Sequence, residues 1–212
     1  MGAQKVLIFG SMPCSSWGFL EPLKDWPDLV IAADGGLSCA QQAGFLPRLY
    51  VGDSDSGGHS VAGMESISLP AEKDWTDLQA AYEHAASLGA REIIFTGCTG
   101  GRQDHHLSAM QLLETAHNQG IHAWILDPWN SIEFLGPGSY AVPKERYFYF
   151  SLIPVDRKLG TITILGAKYP LHGRDTYRGD SLTVSNEWIQ DPAEISFTEG
   201  CCYLIRAVHQ IS

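Results

Sequence analysis

Short apolar runs alternate with helix-like stretches over the first 130 residues, and this alternation limits the chain to few folds. Such an order is typical of a mostly parallel sheet that is covered by helices on both faces. The pattern predicts six strands, which are Lys5–Phe9, Leu29–Ala33, Arg48–Val51, Ser66–Leu69, Glu92–Phe95 and His122–Leu126. It also predicts three helices, near Gly36–Ala43, Trp75–Leu88 and Gln103–Asn118. We therefore expect a Rossmann-like α/β fold in this part of the chain.

The pattern changes after about residue 131. From there apolar residues alternate with polar ones in short runs that are separated by Gly and Pro turns, as in residues 147–153, 161–164 and 202–205. Alternation with a period of two is typical of half-buried antiparallel strands. We predict two domains, an α/β domain over residues 1–132 and an antiparallel β-sandwich over residues 133–212.

Charge and composition argue against several function classes. The formal net charge is -10 and no basic run occurs, which argues against nucleic acid as a partner. No stretch approaches the roughly 20 apolar residues that span a bilayer, and the first residues lack the features of a signal peptide. The five cysteines lack the spacing of a zinc site or of a disulfide framework. We expect a cytoplasmic protein that is not attached to a membrane.

Small or acidic residues follow the predicted strands of the first domain at their C-terminal ends. They are Gly10, Asp34, Gly52 with Asp53, Gly97 and Asp127. In open α/β sheets this edge is where ligands bind. Because three of these five ends carry a carboxylate, the edge suits an oxygen-liking cation such as Mg²⁺.

Two carboxylates lie two residues apart in the segment Gly52-Asp53-Ser54-Asp55-Ser56. In an extended backbone Asp53 and Asp55 point the same way, so they can share one Mg²⁺ or hold it through water. The structural alternative is a turn in which Asp and Ser side chains bind local backbone amides.

The segment Lys73-Asp74-Trp75-Thr76-Asp77 opens a predicted helix. Asp74 suits an N-cap and Asp77 suits the first turn, where acids complement the helix dipole, so a purely structural role is one interpretation. Lys73 beside these acids favours the other interpretation, in which its cation meets a phosphate oxygen.

A glycine-rich turn over residues 97–105 leads from a predicted strand into a helix. Such a turn exposes backbone amides, and helix N-termini favour anions. The turn has neither the ending of a P-loop nor the G-x-G-x-x-G spacing of a dinucleotide site. Arg102 can bind phosphate in a bidentate manner, and Asp104 can bind metal or accept a hydroxyl proton. A tight turn with an Asp cap and a surface Arg is the alternative.

Several other histidines and tryptophans are interpreted as structural. The histidines at positions 106, 117 and 122 have no metal-ligand spacing around them. Four of the six tryptophans are interpreted as core residues rather than ligand platforms, and they are Trp17, Trp26, Trp75 and Trp124.

Taken in order, these motifs resemble those of the thiamine pyrophosphokinase family. The series is Ala33-Asp34-Gly35-Gly36, residues 52–56, Asp74-Trp75-Thr76-Asp77, residues 99–105, Asp127 with Asn130, and Ser185-Asn186. The resemblance implies Mg²⁺-dependent transfer of a pyrophosphoryl group from ATP to the hydroxyl of thiamine. It also implies a homodimer whose active sites lie between the catalytic domain of one subunit and the sandwich of the other.

The resemblance assigns roles to residues by their position in these motifs. Asp53, Asp55 and Asp77 are the implied Mg²⁺-associated acids, with Asp104 close by as a further catalytic residue. The implied nucleotide-binding residues are Asp34, Gly35, Lys73, Gly100, Gly101, Arg102, His105 and Asn130. On the thiamine side the implied residues are Ser185, Asn186 and Tyr203.

The chain departs from the family pattern at two places. Ala109 stands where many bacterial members carry an Asn, and residues 11–16 fit the pattern poorly, so we assign them no role. Three other functions stay open at this point. They are a pyrophosphokinase for another hydroxymethyl heterocycle such as a pterin, a non-catalytic module that binds nucleotide or thiamine, and a metal-dependent phosphohydrolase.

Overall fold

The chain divides into two units, residues 1–128 and 129–212, in a computed structural model that describes residues 4–53, 63–69 and 74–209. The strands of the first unit are β1 (Lys5–Phe9), β2 (Leu29–Ala33), β3 (Leu49–Asp53), β4 (Glu65–Leu69), β5 (Glu92–Thr96) and β6 (His122–Leu126). They lie in the order β6-β5-β1-β2-β3-β4, and every neighbouring pair is parallel. The predicted α/β sheet is confirmed.

Continuous burial explains why these segments form strands. Four consecutive residues of β1, Val6 to Phe9, are fully buried. A parallel sheet that is covered on both faces requires such uninterrupted apolar runs. β5 extends one residue beyond its predicted end, because Thr96 still pairs with Phe9 of β1; its buried hydroxyl donates a hydrogen bond to the carbonyl oxygen of Leu126, 2.9 Å away.

The helices of the first unit are α1 (Gly36–Gln42), α2 (Asp77–Ser87) and α3 (Gln103–Asn118), with a short 3-10 helix at Gly18–Leu23. On α3 the buried residues are Ala109, Leu112, Leu113 and Ala116, which form one apolar stripe at helical spacing. Ala109 is therefore part of the core packing. No helix within the described residues is long and apolar enough to span a membrane.

The second unit is a sandwich of antiparallel strands. Its strands are β7 (Asn130–Leu135), β8 (Gly138–Val142), β9 (Tyr149–Pro154), β10 (Lys158–Leu165), β11 (Leu171–Tyr177), β12 (Asn186–Glu187), β13 (Ala193–Phe197) and β14 (Cys202–Ala207). One layer has the order β12-β9-β14-β7 and the other β11-β10-β13-β8. Buried residues of both layers, among them Phe150, Leu204, Ile162 and Phe197, form one core. The predicted sandwich is confirmed.

Candidate active site

A cleft opens at the carboxyl edge of the parallel sheet, where β1, β2 and β5 end. On one side of β1 the strands follow in the order β2, β3, β4, and on its other side in the order β5, β6. The strand order therefore reverses at β1, and this edge contains that point. Ligands of open α/β sheets bind at such a point. The cleft has a volume of about 270 Å³ and is lined by Gly10, Ser11, Met12, Ala33, Asp34, Trp75, Thr76, Asp77, Leu78, Gly97, Cys98, His105 and Ser108.

Asp34 lies in this cleft in an unusual backbone conformation. Its φ is 49°, in the left-handed region, and its N–H donates to the carbonyl oxygen of Val51, 2.8 Å away. The next turn brings Gly36 so close to β1 that a Cβ there would overlap the carbonyl oxygen of Phe9. The sequence Ala33-Asp34-Gly35-Gly36 therefore turns the chain sharply from β2 into α1. Non-glycine residues in the left-handed region are concentrated at functional sites.

Asp77 reaches the cleft as the first residue of α2. Thr76 is the N-cap, and its Oγ1 accepts a hydrogen bond of 3.1 Å from the backbone N–H of Gln79. The sequence-based interpretation of Asp74 as the cap is therefore wrong, and α2 begins two residues later than predicted. Thr76 satisfies the helix end, so capping does not require the Asp77 carboxylate.

The glycine-rich loop before α3 has three residues in the left-handed region, Gly97, Gly100 and Gly101, with φ values of 63°, 77° and 56°. Its Thr99 hydroxyl donates to Oδ2 of Asp127 at 3.0 Å, and Asp127 is buried. This bond ties the loop after β5 to the residue after β6. The loop therefore has a defined shape of the kind that presents backbone amides to an anion.

Arg102 and Asp104 bind each other at the start of α3. The Nε and Nη2 atoms of Arg102 donate to the two carboxylate oxygens of Asp104 at 3.2 and 2.6 Å. The hydrogen bond from Arg102 is the main reason that the pKa of Asp104 falls from 3.8 to about 2. Both side chains are about two-thirds exposed, at 67% and 64%, so the pair is open to exchange with a ligand.

Cys98 is the one thiol that lines the cleft. Burial raises the pKa of this thiol to about 12, so it is protonated at neutral pH. A protonated thiol is a poor nucleophile. Cys98 is therefore not a nucleophile of this cleft at neutral pH.

Some predicted site residues lie outside the described part of the chain. They are Asp55 and Lys73, and for Asp53 the structure describes only the backbone, at the end of β3. Among the described residues no group of three His, Cys, Asp or Glu side chains is arranged to hold a metal ion. The predicted cluster of Asp53, Asp55 and Asp77 stays a prediction.

Several residues of the cleft were not predicted from the sequence. Ser11 and Met12, which received no role, line it, and so does Trp75, which was interpreted as core but is 51% exposed. The other three indoles, Trp17, Trp26 and Trp124, do pack against the core of the first unit. The position of Ser11 and Met12 directly after β1, beside the reversal of strand order, is the signal that could have found them.

The side-chain amide of Asn186, in the second unit, forms hydrogen bonds with backbone groups. Its Oδ1 accepts from the N–H groups of Tyr169 and Glu187, both at 3.0 Å, and its Nδ2 donates to the carbonyl oxygen of Tyr169 at 2.8 Å. The side chain is buried, whereas the Tyr169 ring is 56% exposed. Asn186 therefore holds the backbone of Tyr169 from both sides.

The other predicted residues lie at separate places in this unit. Ser185, with φ of 58°, donates its N–H to Oγ of Ser151 at 2.9 Å. Tyr203 on β14 is half-buried and meets the cross-strand residue Phe134 edge-on, with ring centroids 5.7 Å apart. Asn130 begins β7 opposite Ala207.

Comparison with known proteins gives the family. The sequence model described as "Thiamin pyrophosphokinase, catalytic domain" matches residues 20–125, and that described as "Thiamin pyrophosphokinase, vitamin B1 binding domain" matches residues 139–202. A thiamine pyrophosphokinase of Bacillus subtilis is 34% identical over 186 residues, which is 84% of this chain and 87% of the relative. The chain belongs to the thiamin pyrophosphokinase family.

Solved structures of this family share the fold. The thiamine pyrophosphokinase structure from Bacillus subtilis superposes with a TM-score of 0.88 at 31% identity, covering 97% of this chain and 100% of the other. That from Geobacillus thermodenitrificans gives 0.86 at 32% identity, covering 97% and 98%. All residues that line the cleft between Ala33 and Ser108 fall within the match to the thiamin pyrophosphokinase catalytic domain.

Proposed function

We propose that this chain transfers the pyrophosphoryl group of ATP to the hydroxyl of thiamine, which yields thiamine diphosphate and AMP. The observation that carries the proposal is the cleft at the carboxyl edge of the sheet, where Asp34 and Asp77 share a surface with Gly97 and His105. Membership of the thiamin pyrophosphokinase family supports it, since both matching descriptions name thiamin. None of the relatives described above is named for a pterin substrate.

The phosphates of ATP are expected at the glycine-rich loop and the start of α3. Gly100 and Gly101 leave backbone amides accessible there, and the positive end of the helix dipole favours anions. Arg102 binds phosphate after it leaves Asp104, and His105 faces the same cleft. The remaining proposed nucleotide contacts are Asp34, Gly35, Lys73 and Asn130.

Mg²⁺ is the cofactor that fits the oxygen-rich edge. The carboxylate of Asp77 lines the cleft, and β3 ends at Asp53 on the same carboxyl edge of the sheet. With Asp55, these acids would hold the ion, which when bound neutralises charge on the phosphate oxygens. We expect Asp55→Asn to reduce turnover by roughly two orders of magnitude or more without unfolding the protein.

The transfer step is a direct in-line displacement at the β-phosphorus. The thiamine oxygen forms the new bond to that phosphorus, while the bond from the β-phosphorus to the oxygen bridging to the α-phosphorus breaks and AMP leaves with that oxygen. The hydroxyl proton passes to a carboxylate or to water. Asp104 is ill suited to accept it, because its pairing with Arg102 holds its pKa at about 2. Asp77 lines the cleft, but as a proposed Mg²⁺ ligand it would also be a weak base, so the choice between Asp77, Asp104 and water stays open.

The thiamine ring is expected against the second unit. Ser185 and Asn186 lie within the range that matches the vitamin B1 binding domain, and Tyr203 follows it directly. An aromatic face such as that of Tyr203 attracts the cationic thiazolium, and one such contact contributes about 0.5–2 kcal/mol. Phe134 supports the Tyr203 ring from its edge.

A homodimer with shared active sites is part of the proposal. Light scattering on the purified chain checks its mass in solution. Mixing Asp77→Asn chains with Asn186→Ala chains tests the sharing, because heterodimers then hold one intact site. Random exchange should restore about a quarter of wild-type activity if sites are shared between subunits. No restoration of activity in a proven heterodimer would place each site within one chain.

The cytoplasm stays the expected location.

AMP release from Mg-ATP, with and without thiamine, tests the reaction directly, alongside fluorescence detection of oxidised thiamine diphosphate. We expect AMP only in the presence of thiamine, in amounts that match the product. Asp77→Asn should lower the rate about 100-fold or more, because a neutral amide replaces a carboxylate at the reaction centre. Asp25→Asn, on an exposed residue of the same unit, is the matched control and should retain the wild-type rate.

Other outcomes separate the alternatives. ATP consumption that is indifferent to thiamine would identify a phosphohydrolase. Binding of ATP or thiamine without AMP release would identify a non-catalytic module. Product formation with a hydroxymethyl pterin in place of thiamine would identify the related pyrophosphokinase.

A further inference from the structure

Trp75 combines an exposed indole with a place in the cleft. It directly precedes the N-cap Thr76 of α2, and 51% of its side chain is exposed. Indoles are usually well buried because of their large apolar surface. This one lines the cleft together with Thr76, Asp77 and Leu78.

The other exposed apolar residues of the described chain lie elsewhere. Leu46, Leu88 and Leu107 of the first unit are exposed but do not line the cleft, and Leu165 lines a separate groove on the second unit. Scattered exposed apolar residues are ordinary on protein surfaces. Trp75 is an exposed aromatic residue that lines the cleft, and binding sites use such aromatic walls to hold planar ligand groups.

We propose that the indole of Trp75 is a stacking platform for the adenine ring of ATP. This inference rests on the proposed function, because it assigns the base of the nucleotide that the reaction consumes. Stacking of a base on an aromatic side chain needs only an accessible ring face and room for a planar partner. The cleft of about 270 Å³ provides the room, and Trp75, which is 51% exposed, lines it.

Adenine fits this position better than the thiamine ring does. Trp75 lies within residues 20–125, which match the catalytic domain, whereas residues 139–202 match the vitamin B1 binding domain. The same cleft includes Gly97 and His105, next to the loop proposed for the phosphates.

Calorimetric titration with two probes tests the platform. One probe is the Mg²⁺ complex of α,β-methylene ATP, whose α,β bridge resists cleavage, and the other is Mg²⁺ tripolyphosphate, which has no base. Trp75→Ala should weaken binding of the ATP analogue about 5- to 30-fold and leave tripolyphosphate affinity unchanged. Trp75→Phe should keep most of the affinity, and Trp75→Leu should behave like Trp75→Ala because bulk without a ring face does not stack.

Tyr177→Ala is the matched control, since Tyr177 on β11 is an aromatic residue with 49% exposure outside the cleft. It should bind both probes like the wild type. Circular dichroism confirms that each variant is folded. In turnover assays the KM for ATP should rise in Trp75→Ala, while the KM for thiamine stays constant.

Three results would overturn the platform. They are an analogue affinity that Trp75→Ala leaves unchanged, an equal loss for tripolyphosphate, and a rise in the KM for thiamine instead of ATP. If the wild type forms thiamine diphosphate and any of these results is obtained with Trp75→Ala, the proposed function stands and the platform is wrong. Wild-type protein that forms no product, yet binds the analogue in a Trp75-dependent manner, loses the proposed reaction and keeps the platform. A wild type that does not bind the analogue overturns both.

Discussion

Gly10 and Gly97 bring the ends of β1 and β5 into backbone contact. A Cβ on Gly10 would lie 2.6 Å from the carbonyl oxygen of Gly97, and a Cβ on Gly97 would lie 2.6 Å from the carbonyl oxygen of Gly10. The N–H of Gly10 donates to Thr96 at 2.8 Å and that of Met12 donates to Gly97 at 2.8 Å. Two glycines therefore close the floor of the cleft, where the strand order reverses.

Gly10→Ala tests this close approach. Gly10 is not in the left-handed region, so the added methyl group acts through its clash with Gly97 alone. We expect the free energy of unfolding to fall by about 1–3 kcal/mol and AMP release to drop with it, because the strand ends must separate. Urea denaturation and the transfer assay measure the two effects.

Gly18→Ala is the control. Its new methyl group would have only Ser16 Oγ nearby, at 3.6 Å, so it should change neither the stability nor AMP release. A fully stable and active Gly10→Ala would show that the strand ends separate at little cost.

Arg206 and Glu133 form a buried ion pair in the sandwich. Arg206 Nη2 lies 3.1 Å from Glu133 Oε1, with 8% and 12% of the two side chains exposed. Arg206→Met removes the cation beside this buried carboxylate, together with the donor to the buried Ser131 hydroxyl, so it should lower the free energy of unfolding by about 3–5 kcal/mol. The double variant Arg206→Met with Glu133→Leu should recover most of that loss. Urea denaturation of the three proteins measures it. Equal stabilities of the single and double variants would mean that the loss of the cation beside Glu133 is not the cause.

The Arg102–Asp104 pair makes a pH prediction. Because Arg102 lowers the pKa of Asp104 from 3.8 to about 2, the pair stabilises the folded chain above about pH 4, and that contribution is lost as the pH falls toward 2. Arg102→Ala should return the pKa of Asp104 to its ordinary range. Carboxyl-carbon NMR titration of both proteins follows it residue by residue. An Asp104 pKa that stays near 2 without Arg102 would assign the shift to the backbone of His105 instead.

Asn186 is expected to act on the position of Tyr169. Asn186→Ala leaves the N–H and carbonyl of Tyr169 without the side-chain partners that they have in the fold, so the free energy of unfolding should fall by about 1–3 kcal/mol. The KM for thiamine should rise if this region holds the ring. Thermal unfolding and thiamine titration measure the two effects. Asn118→Ala, on an exposed residue at the end of α3, is the control. A wild-type KM in Asn186→Ala would remove this residue from the thiamine side.

Local sequence predicted the first unit in detail. β1, β2, β6 and α3 occupy their predicted bounds, because continuous burial and helical spacing are visible in one dimension. The start of α2 was placed two residues too early, since Asp and Thr both cap helices and only the backbone geometry shows that the Thr76 hydroxyl accepts from Gln79. The carboxylate-rich strand ends were predictable because residues that follow parallel strands share one edge.

Other parts of the candidate site were beyond prediction for a physical reason. Sequence does not show that Trp75 is half exposed, nor that Trp75, Ser11 and Met12 border the same cleft, because these facts depend on segments far apart in the chain. The bidentate pairing of Arg102 with Asp104 likewise depends on rotamers at the start of α3.

The order of apolar runs, glycines and acids determined the fold class, the sandwich and the family of this protein, because burial pattern and motif spacing are properties of the chain alone. Tertiary structure decided which of those acids share a cleft, which cation is already paired and which indole is accessible. The shared cleft and the accessible indole depend on contacts between distant segments, whose free energies are set only when the strands and helices pack, whereas the paired cation depends on side-chain rotamers at the start of α3.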